Sequence, residues 1–90
     1  MDEEKKNALR DKLNAIHIWP SVYMYKFIFE TDHDKLIQIQ TIFGESAQFI
    51  KRESANGKYT SLTIKEMMLD ADSIFARYEQ MAAVPGIISL

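Results

Sequence analysis

No cysteine occurs among the 90 residues, which removes disulfides, thiolate nucleophiles and every cysteine-based zinc or iron–sulfur site. Glycine is nearly as scarce: Gly44, Gly57 and Gly86 stand far apart, so no glycine-rich phosphate loop is present. The histidines are His17 and His33, and neither lies near a serine in an elbow or triad-like setting. A serine nucleophile therefore has no visible activating base. No apolar run approaches the roughly 20 residues that a membrane-spanning helix needs. The start, Met1 to Lys6, is polar and charged, so a secretory leader is not expected. A net charge of −2 lacks the concentrated basic footprint of a nucleic-acid binder. Taken together, these absences predict a cytoplasmic, non-enzymatic protein with no cofactor, no metal, no nucleic acid and no membrane among its partners.

What is present is enough apolar material, 47 % of residues, for one core and no more. A domain this small buries only about 60–65 % of its unfolded surface. Asp2–Ile16 carries Leu9, Leu13 and Ile16 at helical spacing on an otherwise charged segment, an amphipathic helix. Pro20 stops it and leads into Ser21–Glu30, a strand with Tyr23, Tyr25, Phe27 and Phe29 on one face. Its other face bears Val22, Met24, Lys26, Ile28 and Glu30, and the apolar residues there predict partial cover on that side. Thr31 or Asp32 is expected to cap a helix with Leu36, Ile39 and Phe43 inward, ending at Gly44 as a left-handed cap.

Ser46–Ser54 reads as a second strand and Tyr59–Lys65 as a third. Asn56-Gly57 between them is a hairpin turn, because these residues tolerate the positive φ that such turns need. Asp70 or Asp72 opens the next helix, with Ile74, Phe75, Tyr78, Met81 and Ala82 inward. Val84-Pro85-Gly86 then turns into a last strand, Ile87–Leu90. The order within residues 18–90 predicts an α+β, ferredoxin-like βαββαβ sandwich, a four-stranded antiparallel sheet with two helices on one face. Residues 1–17 form an extra N-terminal helix.

Few residue groups suggest chemistry. Asp32-His33-Asp34 lies at a helix start, where acids suit the dipole, and helical neighbours point about 100° apart instead of converging on an ion. The aromatic face of the first strand resembles a base-stacking platform only superficially, since the third strand lacks the matching Lys/Arg-Gly-aromatic signature. Core packing explains it. Lys51, Arg52, Lys58 and Lys65 are expected near the hairpin as a solvated edge.

Trp19-Pro20, Tyr23-x-Tyr25-Lys26, Gly57-x-Tyr59-x-Ser61-Leu62-Thr63-Ile64, and Ile74–Tyr78 leading to Val84–Leu90 together resemble the YbeD-like family of small uncharacterised bacterial proteins. That family is similar in fold to the ACT-type regulatory domains of amino-acid biosynthetic enzymes. The resemblance implies a ferredoxin-like, ACT-like fold and a regulatory or binding role, with no family activity to carry over. Amino-acid-binding ACT domains place glycine after the first strand, whereas this chain has Thr31, Asp32, His33 and Asp34.

The expected function is therefore an interaction module that offers its sheet to an unidentified protein partner or to a second copy in a homodimer. The expected interaction face comprises Met24, Lys26 and Ile28 with Tyr59, Ser61 and Thr63. The alternative is a small-molecule, amino-acid-type sensor using the loop Thr31, Asp32, His33 and Asp34 at a subunit interface.

Overall fold

The computed structural model describes residues 2–90. Its elements run α1 (Glu3–Ile16), β1 (Ser21–Glu30), α2 (His33–Ile42), β2 (Gln48–Glu53), β3 (Tyr59–Met68), α3 (Ala71–Ala82) and β4 (Ile88–Ser89). The result is an α+β domain with one four-stranded antiparallel sheet, ordered β2-β3-β1-β4.

Each helix begins on an aspartate whose carboxylate satisfies N–H groups that the first turn leaves free. Asp2 accepts from the Lys5 N–H at 2.8 Å, and Asp32 from the Asp34 N–H at 2.9 Å. Asp70 accepts from both the N–H and the hydroxyl of Ser73, each at 2.7 Å. Asp72, the other candidate for that cap, instead takes the Arg10 guanidinium at 2.8 Å. The β2–β3 hairpin turns on Gly57, at φ 71°, while the Asn56 side chain accepts from the Lys58 N–H at 3.0 Å.

Several boundaries move. β3 continues to Met68 because all ten residues of β1 find partners along it. β2 begins at Gln48, since Gly44 to Ala47 is a turn closed by the Ala47 N–H on the Gly44 carbonyl at 3.0 Å. β4 shrinks to Ile88–Ser89, although the Leu90 N–H still reaches the Lys26 carbonyl at 2.9 Å. Ala82, expected inward, is exposed at the end of α3.

Gly44 is not in the left-handed region, and α2 ends through an extended Phe43. What this glycine supplies is room. A Cβ there would sit 2.9 Å from Glu66 Oε2, the oxygen that accepts the Gly44 N–H at 2.7 Å. Glu66 is buried on β3 and takes two further bonds from Arg77 of α3, Nε to Oε1 at 2.9 Å and Nη2 to Oε2 at 3.1 Å. Arg77 also donates to the Ile42 carbonyl at the end of α2, so one ion pair ties β3, α2 and α3 together.

The core lies on one side of the sheet. Tyr25, Phe27 and Phe29 of β1 and Leu62, Ile64 and Met68 of β3 pack with Ile39, Phe43, Ile74, Phe75 and Met81 from the helical side. Tyr23, placed with the core aromatics, is only half-buried. The helix α1 adds Leu13 to this core and lies against α3, where Lys6 meets Glu79 at 3.3 Å. Lys6 and Arg10 both lie over the Phe75 ring.

Removing one partner of a buried, hydrogen-bonded pair leaves an uncompensated charge, which costs about 3–5 kcal/mol. Because Arg77 retains some solvent contact, Arg77→Leu should lower unfolding free energy by about 3 kcal/mol in a urea titration. Gly44→Ala should also destabilise, through displacement of the Glu66 carboxylate; an unchanged midpoint for both would show that the network contributes nothing.

The Ser73 hydroxyl and N–H hold the Asp70 carboxyl below its usual value. A depressed carboxylate stabilises the fold above its unfolded pKa and loses that contribution as pH falls through the folded one. The stability gap between the native chain and Asp70→Ala should therefore narrow as pH drops through and below the ordinary carboxylate range near 3.8, measured by thermal melts at stepped pH.

Candidate interaction face

The register of β1 against β3 decides what the second face of the sheet displays. Val22 lies opposite Met67, Met24 opposite Lys65, Lys26 opposite Thr63, Ile28 opposite Ser61 and Glu30 opposite Tyr59. β2 adds Gln48 beside Lys65, Ile50 beside Thr63 and Arg52 beside Ser61, while β4 adds Ile88 beside Ile28. Directly opposed residues of an antiparallel pair point to the same side, so all of these share one face.

This face places Met24, Lys26 and Ile28 of β1 together with Tyr59, Ser61 and Thr63 of β3. It also carries Val22, Ile50, Met67 and Ile88. Among these, Val22 is 52 %, Met24 51 %, Met67 53 % and Ile88 59 % exposed. The expected partial cover is not supplied by the chain's own helices. The helix α1 packs on α3, and no described element crosses this side of the sheet. Met67 falls outside the strand that the sequence pattern predicts, which ends at Lys65, whereas β3 runs to Met68. Val22 and Ile50 were visible only as the off-core half of an alternation.

The basic residues also fall differently from the expectation of a cluster at the hairpin. Lys65 pairs with Gln48 at the end of β2 remote from the turn. Lys51 points to the core side, opposite Leu62, and lies 3.8 Å from Glu53. Lys58 lies over the Tyr59 ring. Instead, Lys26, Lys65 and Arg52 share the open face, all exposed, with Glu30 its one acid. Among the described residues none of these three cations is in an ion pair.

The loop Thr31 to Asp34 borders a cleft of about 140 Å³ on the core side of the sheet, beside Lys51 and Glu53. Thr31, Asp32 and His33 line it; Asp34 does not. The Thr31 hydroxyl is spent on the Thr60 hydroxyl at 2.9 Å, and Asp32 is committed to its cap. With Lys51 facing Glu53, the cleft holds no free converging set of polar groups. Among the described residues, no three histidine or acidic side chains are placed to hold a metal ion. No helix among them is long and apolar enough to cross a membrane.

The model of a protein family described as a protein of unknown function (DUF493) matches residues 14–90. No curated protein and no solved structure matches the chain.

Three tyrosines meet behind the sheet. The Tyr23 and Tyr78 hydroxyls are 3.1 Å apart, whereas the fully buried Tyr25 hydroxyl has no protein partner. Burial pushes the Tyr25 phenol well above its ordinary value, and the Glu66 charge adds to this. Burial, then the hydrogen bond with Tyr23, does the same for Tyr78. A raised phenol stabilises the fold below its unfolded pKa and loses that contribution as pH rises. Stability should thus fall once pH passes about 10, with the phenolate absorbance of these two rings appearing only on unfolding. Tyr25→Phe removes an unpartnered buried hydroxyl, so it should leave stability unchanged or raise it by up to about 1 kcal/mol; a loss of that size would reveal an ordered water as its partner.

Proposed function

The chain belongs to the DUF493 family, and we propose that it serves as a non-enzymatic, cytoplasmic interaction module that docks a protein partner on the open face of its sheet. The observation that carries this reading is the composition of that face. An antiparallel sheet with one solvated side normally alternates apolar-in and polar-out. Here Val22, Met24, Ile28, Ile50, Met67 and Ile88 all point away from the core, four of them more than half exposed. Clusters of exposed apolar residues gathered on one sheet face mark sites where another molecule binds.

A ferredoxin-like assignment belongs to the same reading. It is supported by the run β1-α2-β2-β3-α3-β4 and by the order β2-β3-β1-β4. Likeness to YbeD-like proteins and to ACT-type domains would make the role regulatory, with docking altering what the partner does. The motifs Gly57 to Ile64 and Val84 to Leu90 support it, and they occupy β3 and the turn into β4.

Threonine suits an exposed strand position yet removes apolar surface. The double variant Met24→Thr, Met67→Thr should therefore keep its stability within about 0.5 kcal/mol. Affinity capture from cells that make the protein should recover a stoichiometric partner with the native chain and about tenfold less with this variant. A partner held equally by the folded variant would move the site elsewhere.

A further inference from the structure

Resting on that reading, we propose that the occupant of the open face is an acidic amphipathic helix, with two apolar anchors about three turns apart and Asp or Glu between them. The charge on the face is the first argument. It displays three unpaired cations, Lys26, Lys65 and Arg52, against one acid, Glu30, in a chain whose net charge is −2. Off this face the chain carries eight cations against twelve acids, so the remainder is net acidic, while the open face, where six apolar residues also point outward, is net basic.

The layout gives the second argument. Lys26 and Lys65 are diagonal neighbours at the centre of the central strand pair. Val22, Met24 and Met67 lie toward one end of that pair, and Ile28 with Ile88 toward the other. Same-face residues along a strand repeat every ~6.8 Å, which puts the two apolar groups about 17 Å apart. Three helical turns span ~16 Å. A helix lying along β1 and β3 would thus set apolar residues about 11 positions apart on the two groups and bring the intervening carboxylates over the lysines.

Other occupants fit less well. Face-to-face pairing of two copies about an axis through the centre of the face would set Lys26 and Lys65 against the same two cations, and like charges across an interface are costly. A membrane surface or a nucleic acid is an extended polyanion that would run past this face onto the acidic remainder. Nucleic acid would also find a single exposed aromatic, Tyr59, to stack on. A short acidic helix covers the face and ends there.

The test uses two synthetic helical peptides of about 18 residues. One has leucines at the two anchor positions and glutamates between them; the other has lysines in place of the glutamates. Each is titrated into the isotope-labelled full chain and followed by amide chemical shifts. The glutamate peptide should bind with shifts confined to β1 and β3 around Met24, Lys26, Thr63 and Lys65. The charge-reversal variant Lys26→Glu, Lys65→Glu should weaken it by about tenfold or more and favour the lysine peptide instead. Equal binding of both peptides to the native face would overturn the charge requirement while leaving the face as a docking surface. Absence of shifts at millimolar peptide, or shifts confined to α1 and α3, would overturn both. Phosphatidylglycerol vesicles and a single-stranded RNA oligonucleotide serve as further probes; tighter binding of either than of the glutamate peptide would also overturn the proposal.

Discussion

Ten residues of β1 lie opposite ten of β3, from Ser21 against Met68 to Glu30 against Tyr59. Side chains alternate between faces with a period of two, so this register sorts both strands at once. In it, Tyr25, Phe27, Phe29, Leu62 and Ile64 enter the core, while Val22, Met24, Lys26, Ile28, Lys65 and Met67 face outward. A slip of β3 by one residue would bury Thr63 and Lys65 and expel Leu62 and Ile64. The cost of burying that lysine without a partner makes the register effectively single-valued, and the make-up of the open face follows from it.

Glu66 is the point at which the core side departs from apolar packing. A buried carboxylate is tolerated only with its lone pairs satisfied, and here the Gly44 N–H and two Arg77 donors do this. The pair is weak evidence for stability as such. Its geometry does, however, join the end of α2 to β3 and α3, which positions the helical layer over the sheet. With α1 held to α3 by Leu13, Arg10 and Lys6, all three helices are engaged in that layer. The opposite face stays bare as a consequence.

Much of this was legible in the residues. The alternating aromatics of Ser21–Glu30, the Asn56-Gly57 turn and the aspartate caps act locally, and local signals can be read without knowing the fold. The end of β3 was not legible, because Glu66 interrupts the apolar alternation of Leu62, Ile64 and Met68. Its partner Arg77 lies on another element, and nothing near either residue announces the pairing. The role of Gly44 was misread for the same reason: its lack of a Cβ matters to a carboxylate contributed by β3, not to the conformation of α2. Whether the second face would be covered depended on where α1 docks, a tertiary choice. For the loop Thr31 to Asp34, a ligand site is implied by the ACT-type resemblance alone, whereas the residue types suit a helix start; Asp32 caps α2 and the Thr31 hydroxyl meets that of Thr60.

The central claim is that the uncovered side of the sheet is the working surface of the protein. Its methionines offer a direct probe, since Met24 and Met67 lie on that side while Met68 and Met81 are buried on the other. The measurement is the methyl spectrum of the methionine-labelled chain in concentrated extract of the cells that make it, compared with buffer. The account predicts shifted or broadened Met24 and Met67 methyls with Met68 and Met81 unmoved. Unchanged Met24 and Met67 signals, or perturbation centred on Met81, would contradict it.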